Sequence, residues 1–198
     1  MRVLGLDLSS NPGFAVVETE PEGQLKLIAY KSYHVESELP FPFAHVEVAE
    51  SVTKIVADWV DAHAPDQIVI EQTNLGKARY SQKQLEFIHF AVISELRSRK
   101  TAFVYLDSSE WRRALQQRLS KEDRKNNAKV AKAKKTADPL AAKKALGVSG
   151  KITHKHLSVA WVNANFQLQL KLKDNDVADA VCLCAAALQP GIRFCDGT

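Results

Sequence analysis

Two short apolar runs each finish on a carboxylate, and this restricts the fold of the chain more than any other feature. Val3-Leu4-Gly5-Leu6 leads to Asp7, and Gln67-Ile68-Val69-Ile70 leads to Glu71. Runs of this kind read as strands covered on both faces, which requires helices on either side of a sheet. In such sheets ligands gather beyond the strand ends, so the two acids meet there if their strands are neighbours.

The rest of the chain fits that frame. The first strand covers residues 1–9, the Asn11-Pro12-Gly13 turn restarts the chain as a second strand at Phe14-Ala15-Val16-Val17, and a third runs over 24–34 after Pro21-Glu22-Gly23. Val48, Val52, Ile55, Val56, Trp59 and Val60 recur at helical spacing and predict a helix over 44–63, stopped by Pro65. After the strand 67–71, Leu85, Ile88, Val92 and Leu96 mark a helix over 81–99, and a short strand follows at 101–106. Asp107-Ser108-Ser109 caps a short helix holding Trp111, Arg112 and Arg113. Two C-terminal helices are predicted over 154–165 and 175–188. The order is that of an α/β fold, a mixed five-stranded sheet flanked by helices, and 198 residues fit one domain with a substantial core.

Charge is unevenly spread. From Arg118 to Lys151 there are eleven Lys/Arg against three acids, a net of +8; with a formal charge of +4 overall, the remainder carries about −4. Residues 118–150 read as a basic, helical, lysine- and alanine-rich insertion, broken at Asp138-Pro139 and at Gly147 to Gly150. A block like this on an acidic body has the character of a nucleic-acid footprint, and equally of a solvated lysine-rich helix. No apolar stretch reaches the roughly 18 residues of a membrane span. Cys182, Cys184 and Cys195 have no metal-knuckle spacing and read as free thiols in a reducing cytoplasm. Trp59, Trp111 and Trp161 read as core or interface aromatics, and His154 and His156 as solvated.

The last helix carries Asp176 and Asp179, three apart and so on one face. Read singly, each acid has an ordinary role: Asp174 or Asp176 as helix N-cap, Asp179 as an exposed first-turn acid, Asp7 as a turn acid, Glu71 paired with Lys77 or Arg79. Read together, four carboxylates without matching bases are what hard divalent cations need.

Gly5-Leu6-Asp7 with Gly13 downstream, Ile70-Glu71-Gln72, and Asp176-Val177-Ala178-Asp179-Ala180 stand in the order found in the RuvC-type Holliday junction resolvases, and the chain resembles that family over roughly 1–117 and 150–188. The length and the lysine-rich insertion look more like a phage or divergent bacterial member. The resemblance implies an RNase H-like fold, a homodimer, and a cytoplasmic enzyme of DNA recombination and repair acting on branched DNA, four-way junctions above all. It implies Asp7, Glu71, Asp176 and Asp179 as catalytic metal ligands, with Asp7 bridging two Mg²⁺ ions and Mn²⁺ able to substitute. Hydrolysis would leave 5′-phosphate and 3′-hydroxyl ends. Lys77, Arg79, Tyr80, Arg112, Arg113, Lys151 and Lys155 are the expected DNA contacts. The chain departs from the family where the usual Asp-Pro-Gly becomes the stretch from Asp7 to Gly13. It departs again where Asn74 and Leu75 replace a crossover-inserting aromatic, a part left to Leu75 or Tyr80.

Two other classes of function compete. Phosphotransferases of the actin and sugar-kinase type also open with strand-Asp-turn-strand, but they need two large halves where this chain offers one sheet and eight glycines. A non-catalytic DNA-binding scaffold would have no need for the metal-binding acids.

Overall fold

The computed structural model describes residues 1–72, 79–192 and 195–196. Three antiparallel strands open the chain: β1 (Arg2–Asp7), β2 (Gly13–Thr19) and β3 (Leu25–Ser32). Helix α1 (Phe43–His63) leads to β4 (Gln67–Glu71), and α2 (Arg79–Ser98) to β5 (Phe103–Leu106). Both β4 and β5 join the sheet in parallel. The two-residue β6 (Cys195–Asp196) pairs with β5, giving the order β3-β2-β1-β4-β5-β6. The five expected strands are present, and β6 extends their edge. The first strand ends at Asp7, two residues earlier than its pattern; Leu8 is apolar because it joins the core beyond the strand's end.

Strand parity decides what each face carries. Leu4, Leu6, Phe14, Val16, Ile68 and Ile70 pack on one face against Val48, Val52, Val56 and Trp59 of α1 and Ile88, Val92 and Leu96 of α2. Val3, Ala15, Val17, Val69 and Leu106 point to the other face, towards the short α3 (Ser108–Ala114), α6 (His154–Phe166) and α7 (Asn175–Ala187). Between α3 and α6 lie α4 (Lys121–Ala133) and α5 (Pro139–Ala145), the helices of the basic insertion. Every residue of α7 except Asp176 is buried. A helix apolar all round is one enclosed on every side, and α7 lies between the sheet and α6 and α3.

The three tryptophans behave as expected: Trp59 and Trp111 are buried, and Trp161 packs against the core. Cys182 and Cys184 are buried free thiols, and burial pushes the Cys184 thiol up to about 12. The side chain of Cys195 lies outside the described residues. Among the described residues, no helix is long and apolar enough to cross a membrane.

Candidate active site

The acids converge because of register and because of two glycines. Strands β1 and β4 are parallel neighbours with Leu6 opposite Ile70, so Asp7 and Glu71 leave the sheet side by side at its carboxyl edge. Parity puts Asp7 on the face of Val3 and Gly5, and Glu71 on the face of Val69, the face that α7 covers. Gly5 and Gly13 then let α7 rest on the strand backbones. A Cβ at Gly5 would lie 2.4 Å from the Ala180 carbonyl oxygen, and one at Gly13 would lie 2.0 Å from that of Asp176. Neither position has room for any other residue, and the contact presses the first turns of α7 onto the strand ends.

The result is a cluster of Asp7, Glu71 and Asp179, each offering a carboxylate oxygen within 4.8 Å of the others. Asp179 is only 5% exposed, contrary to its reading as an exposed first-turn acid, and its buried Oδ1 has no hydrogen-bond partner. Asp176 is not a member of this close trio. It stands at the edge, with Lys155 Nζ 3.9 Å from its Oδ1. Asp174 takes the N-cap position of α7, and its carboxylate accepts from the Lys171 amide at 2.8 Å.

Burial raises the pKa of all four carboxyls. Desolvation is the main cause for Asp7, joined by repulsion from Glu71, Asp179 and Asp176 and opposed by Lys155; the group is held well above the usual carboxylate range. Burial, with Asp179 adding to it and Arg112 opposing it, brings Glu71 up to about 7. Asp179 and Asp176 are also raised, again chiefly by burial, and Lys155 opposes the shift at both.

Among the described residues Arg112 approaches two of the three acids, with Nη1 4.0 Å from Glu71 and Nη2 3.7 Å from Asp179. Its guanidinium lies 4.2 Å over the Trp111 ring. Helix α3 holds it there, started by the Asp107 carboxylate accepting from the Ser109 amide at 2.7 Å. From sequence Arg112 is expected only as a backbone-phosphate contact, and Lys77 or Arg79 are the cations open to Glu71 if it is an ordinary paired acid. The sign that would have found the pairing is a basic residue one turn into a capped helix that directly follows the strand beside β4.

The other expected contacts are more dispersed. Arg113 is exposed and lies 3.8 Å from Glu110. Arg79 and Tyr80 are exposed at the start of α2, with the Tyr80 ring edge-on to buried His45 at 4.4 Å. Lys151 is exposed, and Lys155 stands beside Asp176. Lys77, Asn74 and Leu75 lie outside the described residues. His156, expected in solvent, is half-buried and accepts from the Thr153 amide at 3.2 Å to start α6. His154 is exposed but lines a cavity of about 560 Å³ with Ser109, Arg112, Arg113, Gln117 and Arg118. Sequence reasoning also missed a buried polar group behind the site: the Ser158 hydroxyl donates to Gln117 at 3.2 Å, and the Gln117 amide donates to Cys182 at 3.1 Å.

The donor set is carboxylate throughout, with no thiol or imidazole among its close members. That composition fits a hard divalent cation. The unpartnered Asp179 oxygen and the mutually raised pKa values fit it too, since a cation would supply the missing partner and relieve the repulsion.

No family model matches the sequence, and no curated protein sequence does. Backbone comparison does find relatives. The structure of Thermus thermophilus RuvC in complex with a Holliday junction substrate aligns over 95% of this chain and 94% of that one, with 13% identity and a TM-score of 0.66. A second Thermus thermophilus RuvC structure gives 14% identity, the same coverage and a TM-score of 0.64. The yeast mitochondrial Holliday junction resolvase aligns over 94% of this chain and 78% of its own, with 11% identity and a TM-score of 0.54. The chain therefore shares the fold of these RuvC structures over nearly its whole length.

Proposed function

We propose that this chain is a single-domain, divalent-metal-dependent endonuclease that resolves Holliday junctions and related branched DNA as a homodimer. The observation carrying this reading is the trio of Asp7, Glu71 and Asp179, within 4.8 Å of one another at the strand ends of a RuvC-type fold. Asp7, Glu71 and Asp179 would hold Mg²⁺, or Mn²⁺ in its place, and Asp176 would serve as an outer ligand or orient water. Cations held there would supply Lewis-acid activation of a water and charge neutralisation at the scissile phosphate and the leaving 3′ oxygen.

The chain's own residues do the rest. Arg112 and Lys155 offset the acids' repulsion before the cations arrive. Both side chains stand where they would engage the flanking backbone phosphates, Arg112 through a planar fork suited to phosphate. Water attack expels the 3′ oxygen and leaves 5′-phosphate and 3′-hydroxyl ends that can be ligated. The dimer has support from an exposed apolar patch at the start of α1 and along α2, where Phe41, Phe43, Tyr80, Phe87 and Phe90 stand 54%, 62%, 57%, 38% and 75% exposed.

The test is cleavage of synthetic four-way junctions, forks, flaps and RNA–DNA hybrids in parallel, with Mg²⁺, Mn²⁺ or EDTA. Symmetric nicking of the four-way junction is expected with either metal and none with EDTA. Asp7→Asn is expected to lower the rate at least ~10³-fold, the scale of losing a transition-state contact, while leaving junction binding intact. Normal cutting by Asp7→Asn would remove the reading.

A further inference from the structure

The insertion between α3 and α6 is a separate cationic element, and two of its three acids start its helices. Asp123 closes a capping box with Ser120, whose hydroxyl donates to it at 2.8 Å, and Asp138 accepts from the Leu140 and Ala141 amides. Two of the segment's three acids therefore serve helix starts, and the segment keeps a strong net positive charge. On α4 the half-buried or buried positions are Asp123, Asn126, Asn127, Val130 and Ala133, which face inward at helical spacing. On the outward side Lys121, Lys125, Lys129 and Lys132 form one exposed stripe, and none of them makes an ion pair among the described residues.

The arm is fixed to the body beside the acids. Asn127 makes two hydrogen bonds with the Ile152 backbone, at 2.6 and 2.8 Å, and the Asn126 amide donates to Gly150 at 3.0 Å. Three residues beyond Ile152, Lys155 reaches Asp176. At the arm's other root, Arg118 lines the cavity it shares with Arg112, Arg113 and His154. Cationic groups thus run from the acid trio, through that cavity, to the base of α4.

We infer that the α4–α5 arm binds the phosphate backbone of a duplex DNA arm, outside the catalytic centre and without reading sequence. The stripe spans about 16 Å at 1.5 Å per residue. Each DNA strand carries one phosphate per ~3.4 Å of axis, so four lysines on this line face a run of about five phosphates. Lysine suits the task because it contributes charge without fixed geometry. This inference rests on the reading that branched DNA is the substrate, and it assigns the grip on that DNA to a part of the chain that takes no role in hydrolysis.

The experiment measures binding of the full chain to a labelled linear duplex and to a four-way junction in EDTA, from low to moderate KCl, by fluorescence anisotropy. Replacing Lys121, Lys125, Lys129 and Lys132 together by Gln is expected to reduce the slope of log affinity against log salt by about 3 to 4, at roughly 0.9 per phosphate contact. Affinity at a fixed moderate salt should fall at least tenfold on both DNAs. The four Lys→Arg changes should restore slope and affinity, and Lys26→Gln with Lys54→Gln, on other surfaces, should alter neither by more than the loss of a single contact. A quadruple Gln variant that melts like the parent and keeps its slope on both DNAs overturns the inference and points the arm to a protein partner. Because no metal is present, a parent chain that never cuts junctions can still show the slope change. In that outcome the arm assignment stands and the nuclease reading fails.

Discussion

The two faces of the central sheet are packed in opposite ways. Under α1 and α2, large side chains interlock: Phe14, Trp59, Ile88 and Leu96 fill the space between strands and helices. Under α7, volume has been given up. Gly5, Gly13 and a helix rich in alanine allow backbone to approach backbone, and the polar groups trapped in that contact include acids. The titratable groups differ in the same sense. Burial on the first face pushes His89 down to about 4, whereas burial and mutual repulsion on the second push Glu71 up to about 7. One face is arranged for cohesion; the other holds like charges together at the expense of stability, and that expense is what a bound cation would recover.

Gly13→Ala set beside Leu96→Ala would test this division most severely. Leu96 is fully buried, so its truncation should cost about 2–5 kcal/mol by cavity formation. The methyl at Gly13 would meet the Asp176 carbonyl at 2.0 Å, and only backbone movement can relieve that contact. A destabilisation of at least ~3 kcal/mol is expected there, by overpacking. The difference lies in activity: below both melting temperatures, Leu96→Ala should cut junctions at nearly the parent rate. Gly13→Ala should lose ~10²-fold or more, because moving α7 by about an ångström separates Asp179 from Asp7 and Glu71. Equal loss of cleavage in the two variants would mean that the faces are not separable.

Acid titration sharpens the comparison from the other side. His89 shares a 2.8 Å hydrogen bond with Tyr105, and its pKa is depressed from 6.5 to about 4 by burial. The unfolded chain takes up this proton below 6.5 and the folded chain does so only near 4. Stability from neutral His89 is therefore present above 6.5 and is lost as pH falls through that window, by roughly 3 kcal/mol. Denaturant titrations of the parent and of His89→Gln between pH 7 and 4 should converge by about that amount. Parallel stability curves would show that His89 carries no such linkage.

How far the sequence foretold this arrangement depended on whether the signal was local. The ends of β4 at Gln67 and Glu71 and the Asp107 cap of α3 follow from nearby residues, and the structure has them where the pattern predicts. The meeting of Asp7 with Glu71 needed one further fact, that β1 and β4 are neighbours, which strand periodicity does not contain. Arg112 was legible as a cation but not as the partner of Glu71 and Asp179, because that contact depends on how α3 leaves β5. The same limit applies to Asp176 and Asp179. Spacing puts them on one face of α7, yet only the way α7 rests on the strands at Gly5 and Gly13 decides that Asp179 enters the trio while Asp176 stands beside Lys155.

The gentlest probe is Glu71→Gln, and it asks whether the acids do oppose one another in the folded chain. The folded carboxyl has a pKa of about 7 against an ordinary value of 4.5. Its contribution to stability is full below 4.5 and is lost as pH rises through 7, so at pH 8 without metal the ionised side chain works against the fold. Glutamine removes that charge and leaves Arg112 to Asp179 alone. In EDTA at pH 8 the variant should melt a few degrees above the parent, at ~2–4 °C per kcal/mol for a chain of this size, and at pH 5 the gap should close. Excess Mn²⁺ at pH 8 should reverse the order, since only the parent keeps the full ligand set and a cation that binds the native state raises its melting temperature. If Glu71→Gln instead melts lower than the parent in EDTA at pH 8, then Arg112 already over-compensates the cluster. The unpaired charge behind the contrast between the two faces would then be absent.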